Sequence, residues 1–202
     1  IQYGNSLIES NQTDSENREE INPFDFGNIK FDVIVGNPPY MATEHIKRFT
    51  PEELPIYKRD YTTAFMQFDK YFLFIQRGFE LLKQSGILGY IIPSKFAKVG
   101  AGKNLRKLLS EEKAVEKIIS FGANQVFKDK TTYTCILLLK KQGKESLLYH
   151  EVENMNNWKV KNYSIEFDDV EYQNLDENTW VLTPNHLKPI FNSISEQSIK
   201  LA

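Results

Sequence analysis

Two kinds of apolar spacing alternate along the first two-thirds of the chain. Phe31-Asp32-Val33-Ile34-Val35-Gly36 is a short run rich in β-branched residues that stops at Asn37-Pro38-Pro39, the pattern of a buried strand ending in a rigid turn. From Tyr61 to Lys83 the spacing changes. Phe65, Phe68, Phe72, Ile75, Phe79 and Leu82 recur in steps of three and four, with Asp69, Lys70, Gln76, Arg77, Glu80 and Lys83 mostly opposite, which predicts one amphipathic helix closed by Gly86. Ile87 to Ile92, stopped by Pro93, predicts a second buried strand, and a further helix is expected from about Lys103 to Lys113. Strand, helix, strand, helix is the signature of a parallel sheet. Val115 to Phe121 and Tyr133 to Leu139 read as two more strands only a loop apart, too close for a crossover helix, so they are expected to be antiparallel.

After Lys144 the pattern weakens. Leu147 to Val152 and Trp158 to Phe167 are candidate strands, Glu166 to Glu177 is acidic, and Asn178 to Ala202 ends in what reads as an unfinished helix. Residues 9 to 25 carry six acids against the single base Arg18, which marks an exposed connection.

Composition narrows the class without naming a function. At 202 residues, 41% hydrophobic and 26% charged, the chain suits one large or two small globular domains and is neither collagen-like nor disordered. Its longest apolar runs fall well short of the roughly 20 residues of a membrane-spanning helix. The single cysteine, Cys135, gives neither an internal disulfide nor zinc-ligand spacing, and a reducing cytoplasmic setting fits best. A net charge of −2 provides no global attraction to nucleic acid, so any such role needs a local basic surface. The chain begins at Ile1 with no initiator Met and no signal-like segment, and it reads as a piece of something longer.

The chemistry concentrates at Asn37-Pro38-Pro39-Tyr40, at the carboxyl end of the first strong strand, where open α/β sheets bind their ligands. Each proline fixes its own φ, and Pro39 pushes Pro38 toward an extended conformation, so the tetrapeptide is stiff before any ligand arrives. The Asn37 amide oxygen and the Pro38 carbonyl can then converge as two acceptors. An amine conjugated to an aromatic ring is a poor nucleophile because its lone pair is delocalised. Two acceptors gripping its N–H bonds favour a pyramidal nitrogen and free that pair, without a strong base. Tyr40 adds a face for a planar base, worth about 1–3 kcal/mol per base in nucleic-acid systems. Alone, Asn-Pro is mostly a plain turn closing a strand.

In its full context, Phe31 to Tyr40 closely resembles the catalytic motif of the amino-methyltransferases that use S-adenosylmethionine, in particular the N6-adenine DNA methyltransferases of restriction-modification systems, including fused type IIG enzymes. Leu81-Leu82-Lys83-Gln84-Ser85-Gly86 leading to Ile91-Ile92-Pro93 is similar to the helix-to-strand passage of that family, and Val126-Phe127 before Tyr133 to Leu139 is similar to its segment ahead of the last hairpin strand. The resemblance covers about residues 3 to 142. It implies that Asn37, Pro38, Pro39 and Tyr40 are catalytic and that Tyr40 and Phe127 stack on a flipped adenine. It also implies that Asn37 lies against the cofactor, and that Asn5, where the family usually has an acid, touches the cofactor adenine or forms a simple Gly-Asn turn.

The fold so implied is α/β: a partial doubly wound, Rossmann-like class I methyltransferase sheet with an antiparallel terminal hairpin. Residues 1–143 are the expected catalytic portion. Residues 144–202 are an expected small α+β extension or the start of a target-recognition region. The family's glycine-rich cofactor loop is absent upstream of Asn37, where only Gly4, Gly27 and Gly36 occur, so the main S-adenosylmethionine loop is expected before residue 1. Double-stranded DNA is the implied partner, with room for a fused nuclease and target-recognition domains outside this stretch.

Lys95, Lys98, Lys103, Arg106 and Lys107 place five cations between Pro93 and Ser110 with no acid, which reads equally as a surface for DNA phosphates or as a solvated helix face. Lys128 and Lys130 flank Phe127 and reach a phosphate beside an extruded nucleotide on the same reading. Val99 to Asn104 lacks the glycine and hydroxyl spacing of a phosphate loop. Glu111-Glu112-Lys113 reads as a helix-face ion pair rather than a nuclease motif. His45, His150 and His186 are too scattered for a metal site, and none is expected. Two rival functions share the features above: methylation of a protein glutamine or a ribosomal guanine by the same amide-gripping chemistry, and a non-catalytic DNA-binding module of a restriction enzyme.

Overall fold

The computed structural model describes residues 5–8, 26–127, 133–160 and 164–184, together with 187, 189 and 193. The predicted first strand is β1 (Phe31–Gly36), and two short helices follow, α1 (Thr43–Phe49) and α2 (Glu53–Asp60). Then come α3 (Lys70–Glu80), β2 (Leu82–Pro93), α4 (Lys103–Glu111), β3 (Val115–Ser120), β4 (Thr134–Lys140), β5 (Ser146–Glu151), α5 (Met155–Trp158) and β6 (Asp168–Glu171). The strands form one six-stranded sheet in the order β1-β2-β4-β3-β5-β6. β1 is parallel to β2, β4 is antiparallel to both β2 and β3, and β5 is parallel to β3, so β1, β2, β3 and β5 all point the same way. The antiparallel hairpin expected between Val115 and Leu139 is β3–β4. Asn37 to Tyr40, the end of β2 at Pro93, and the end of β3 at Ser120 therefore share one edge of the sheet.

The main core lies on the face covered by α3 and α4. Tyr71, Phe72, Ile75 and Phe79 of α3 are buried against Leu88, Tyr90 and Ile92 of β2 and Leu137 and Leu139 of β4. The burial of each such side chain contributes about 1.5–3 kcal/mol. Gly78 lets α3 approach this closely: a Cβ there would run into the Leu88 side chain and the Tyr90 hydroxyl. A smaller cluster on the opposite face joins Ile119, Phe121 and Val152 to Ile136, Trp158 and Phe167.

Four expectations are corrected. The helix predicted over Tyr61 to Lys83 begins only at Lys70 and ends at Glu80. Residues 61–69 form turns because polar groups there bind elsewhere: the Thr63 backbone N–H and hydroxyl both donate to Gln76 Oε1, at 3.1 and 2.9 Å, and Asp69 takes an extended conformation and bridges to Ala42. Gly86, expected to close that helix, lies within β2 and faces the Phe31 carbonyl.

β1 is not buried on both faces. Val33 is 61% and Val35 77% exposed, and Ile87 beside them on β2 is also exposed, because one face of this part of the sheet is uncovered among the described residues. The helices α1 and α2 were not legible at all. They are seven and eight residues long, Pro51 and Pro55 interrupt the stretch, and neither carries a sustained apolar stripe.

The strand expected over Trp158 to Phe167 is displaced. Trp158 closes α5, residues 164–167 carry no strand, and the strand is β6, one residue further on. Its acids are tolerated because it is an edge strand in which Val170 alone is buried. Residues 178–184 run as irregular chain, and the helix expected toward the end of the chain falls largely outside the described residues.

Candidate active site

The turn after β1 is held from one side only. Pro38 is buried, whereas Asn37 and Pro39 are exposed, and the Asn37 amide makes no hydrogen bond among the described residues. Tyr40 is fastened. Its hydroxyl donates to the Ile91 carbonyl at 2.9 Å, and its ring meets Tyr71 edge-on at 6.1 Å between centroids. Burial, with a smaller contribution from nearby Cys135, pushes the Tyr40 hydroxyl up to about 12, so it remains a donor across the physiological range. Tyr71 in turn donates to the Pro93 carbonyl at 3.3 Å, which ties the ends of β1 and β2 through two aromatic side chains.

Just beyond Tyr40 the chain is pinned by backbone bonds. Lys70 N–H donates to the Met41 carbonyl at 2.8 Å, Thr43 N–H donates to Phe68 at 3.0 Å, and the Thr43 hydroxyl donates to the same Phe68 carbonyl at 2.6 Å. Asp69, buried beside this junction, pairs with Lys95 at 2.8 Å. The result is a turn with a rigid frame and one exposed, unengaged amide.

Asn5, for which the resemblance left open a contact with the cofactor adenine or a simple turn, makes a turn and a bridge to α2. Its Nδ2 donates to Glu53 Oε1 at 2.7 Å and to the Tyr57 hydroxyl at 2.8 Å, and its Oδ1 accepts from Leu7 N–H at 3.0 Å. Both amide hydrogens are engaged, so the side chain ties residues 5–8 to α2. Glu53 is the hub. It also accepts from Tyr57 at 2.8 Å and from Lys70 at 3.1 Å. Burial pushes the Glu53 carboxyl up, but hydrogen bonds from Tyr57 and Lys70 and the Lys70 charge outweigh it and hold the group below its usual range. This Asn5–Glu53–Tyr57–Lys70 network escaped sequence reasoning. The Glu53/Tyr57 spacing of four was the available signal, but α2 itself was not legible.

The basic stretch divides. Arg106 is only 3% exposed, and its guanidinium donates to the carbonyls of Phe96 at 2.6 Å, Val99 at 2.8 Å and Glu177 at 3.0 Å. It is therefore not a phosphate contact: it closes the loop between β2 and α4 over the C-terminal segment. Gly102 allows this, since a Cβ there would strike the Phe96 carbonyl and the Arg106 head group. Lys98 and Lys103 are exposed with no ion pair among the described residues, Lys95 is half-exposed against Asp69, and Lys107 lies 3.8 Å from Glu111.

Phe127 is half-buried in the loop between β3 and β4 and makes no ring contact with Tyr40, while Val126 packs into the smaller cluster. Lys128, Lys130 and His186 lie outside the described residues. His45 meets Phe49 edge-on and His150 bonds the Glu166 carbonyl. Lys113, expected on the helix face, lies in the turn after α4 and pairs with Glu145 at 2.6 Å, and Glu111 faces Lys107. No helix among the described residues is long and apolar enough to cross a membrane.

Comparison with known proteins bears directly on this geometry. The chain is 51% identical over 201 residues to the type II restriction enzyme and methyltransferase RM.Eco57I of Escherichia coli, an alignment that covers 98% of this chain and 20% of that protein. The chain thus spans about a fifth of the length of that relative. Among solved structures, 76% of the chain superposes on 20% of the type IIG restriction endonuclease BpuSI with a TM-score of 0.52 at 19% identity. It also superposes, over 67% of its length and 42% of the other, on a class I S-adenosylmethionine-dependent methyltransferase described from Listeria monocytogenes, with a TM-score of 0.51 at 17% identity. These likenesses establish the class I methyltransferase fold. The model of the Eco57I restriction-modification methylases matches residues 1–127, the stretch that contains the Asn37–Tyr40 turn and its frame, and the chain belongs to that family.

Proposed function

We propose that this chain is the catalytic portion of a site-specific DNA methyltransferase that transfers a methyl group from S-adenosylmethionine to N6 of a flipped adenine in a restriction-modification system. The observation that carries the reading is the exposed, unpartnered Asn37 amide next to Pro38, beside a Tyr40 ring anchored through its hydroxyl to Ile91.

Asn37 Oδ1 and the Pro38 carbonyl accept the two N–H bonds of the target amine and draw its lone pair out of the ring. Tyr40 supports one face of the base, and Phe127 closes from the β3–β4 loop over the other. Bound S-adenosylmethionine supplies an electrophilic methyl carbon on positively charged sulfur. The acceptors hold the methylated nitrogen while its extra proton leaves to water. The donor set fits such a cofactor at the base end of the site, since Asn37 carries no competing bond. Asn5 acts there only through Glu53, because its own amide is engaged.

The glycine-rich cofactor loop belongs to the preceding part of the full protein, whose segments cover the exposed Val33 and Val35. Residues 1–143 form the catalytic portion, and the remainder leads into target recognition. Lys98 and Lys103, with Lys95, Lys107, Lys128 and Lys130, meet DNA phosphates. A fused nuclease lies elsewhere in the full-length protein, which acts in the bacterial cytoplasm.

The test is methyl transfer by the full-length protein, with tritiated S-adenosylmethionine and DNA, ribosomal RNA and a release-factor protein in competition. DNA is expected to take the label, and Asn37→Ala is expected to abolish transfer. Label on RNA or protein, or near wild-type rates in the variant, contradicts the assignment.

A further inference from the structure

A cleft of about 450 Å³ opens on the same edge of the sheet, beyond the end of β2 and away from Asn37 to Tyr40, none of which lines it. Its volume lies within the roughly 300–1,000 Å³ of small-molecule sites. Cys135, Ile118 and Trp180 make its floor and back apolar, while Lys95 and Lys98 stand on one side and Glu151 on the other.

The polar groups are disposed unequally. Glu151 Oε2 accepts from the Tyr149 hydroxyl at 2.7 Å, but Oε1 carries no hydrogen bond among the described residues. Gly122 keeps that oxygen uncovered: it sits at φ +50°, and a Cβ there would stand 3.1 Å from Oε1. Across the cleft, the Asp69 carboxylate fixes Lys95 at 2.8 Å, and Lys98 has no anionic partner among the described residues. The exposed ring of Tyr133 stands at the rim. One end of the cleft accepts hydrogen bonds through a carboxylate, the other attracts an anion, and the middle suits a flat apolar body.

We propose that this cleft is a subsite for one nucleotide whose base carries an exocyclic amine, cytosine or adenine, with the amine on Glu151 Oε1, the base against the exposed Tyr133 ring, and the phosphate at Lys98 and Lys95. A carboxylate accepting from an exocyclic amine is an established base-reading pair. The subsite is separate from the target-base position at Tyr40. It rests on the DNA-methyltransferase reading only for the source of its occupant, a nucleotide of the DNA strand or a free mononucleotide.

The experiment measures binding of deoxycytidine monophosphate to the full-length protein against its analogue lacking the 4-amino group. The amine is expected to favour binding about tenfold, as befits a hydrogen bond to a charged acceptor. Glu151→Leu is expected to abolish that preference and Glu151→Gln to retain part of it. Lys98→Ala is expected to weaken both ligands alike. A trinucleotide of cytosines that binds more tightly than the mononucleotide assigns the occupant to DNA, and equal binding assigns it to free nucleotide. Absence of binding, or an amine preference unchanged in both Glu151 variants, overturns the subsite. Amine selectivity in a protein that transfers no methyl group leaves the subsite standing and removes the proposed activity; methyl transfer without selectivity does the reverse.

Discussion

Asn37 to Tyr40 and Pro93 to Arg106 border the same edge of the sheet yet treat their polar groups in opposite ways. In the first stretch the exposed Asn37 amide, the proposed amine acceptor, is left unengaged, and the surrounding bonds run through Tyr40 and the backbone beyond it. In the second, the strongest cation, Arg106, is withdrawn into three carbonyl bonds, while Lys98 and Lys103 remain outside. Charge density along a sequence therefore does not measure the charge available to a ligand. What decides is whether the folded backbone leaves carbonyls that need a donor, since a buried carbonyl without one costs about 1–3 kcal/mol.

The sharpest way to break this comparison is Asn37→Ala in the full-length protein. It is expected to lower the rate of methyl transfer to DNA by at least about a thousandfold, comparable with the loss of a preorganised electrostatic contact. The thermal midpoint should hardly change, since the side chain is exposed and unbonded. Next is Arg106→Ala, which takes the side-chain donor from the Phe96 and Glu177 carbonyls, leaves Val99 only its bond from Gly102 N–H, and opens a void. It is expected to destabilise the fold by about 3 kcal/mol in denaturant unfolding. If the variant instead kept its stability and lost DNA affinity with a flatter salt dependence, Arg106 would be a phosphate ligand after all.

A prediction from the Asn5–Glu53 network concerns pH. The Glu53 carboxyl is held below its ordinary value of 4.5, so the folded state favours the ionised form more than the unfolded chain does. Its stabilisation is complete above that ordinary value and is lost as pH falls toward the lowered folded one. Glu53→Gln is expected to be less stable than wild type at neutral pH, with the gap closing on acidification, as followed by urea midpoints from pH 7 to 3. A gap constant over that range removes Glu53 as the hub.

Smaller effects come from Tyr40 and the exposed lysines. Tyr40→Phe removes one hydrogen bond to Ile91 but keeps the ring, and is expected to cost about 1 kcal/mol of stability while retaining most of the methyl-transfer rate. Lys98→Ala and Lys103→Ala are each expected to leave stability within about 0.5 kcal/mol and to reduce the slope of log affinity against log salt by about one. A slope unchanged in both variants leaves them as plain solvated cations.

What the sequence made legible follows from the range of the forces involved. β1, the α3–β2 passage and the β3–β4 hairpin each carry a local pattern, and the Asn37–Tyr40 turn carries its stiffness in two adjacent prolines. What stayed hidden depends on distant partners. The start of α3 was misplaced by nine residues, because Thr63 is captured by Gln76 and Asp69 by a bridge to Ala42. Asn5 gave no sign that Glu53 and Tyr57, some fifty residues away, engage both its amide hydrogens. Arg106 looked like its neighbouring lysines until Glu177 and the Phe96–Val99 turn were placed around it. In each case a polar side chain was read as free, and the fold supplied its partner from elsewhere.

The central claim is that the Asn37–Pro38 acceptors grip the exocyclic amine of adenine in DNA. The most direct measurement is nucleoside analysis of DNA methylated by the full-length protein with labelled S-adenosylmethionine. The account predicts that the label elutes as N6-methyladenine and disappears with Asn37→Ala; label on cytosine, or on adenine with the variant still active, contradicts it.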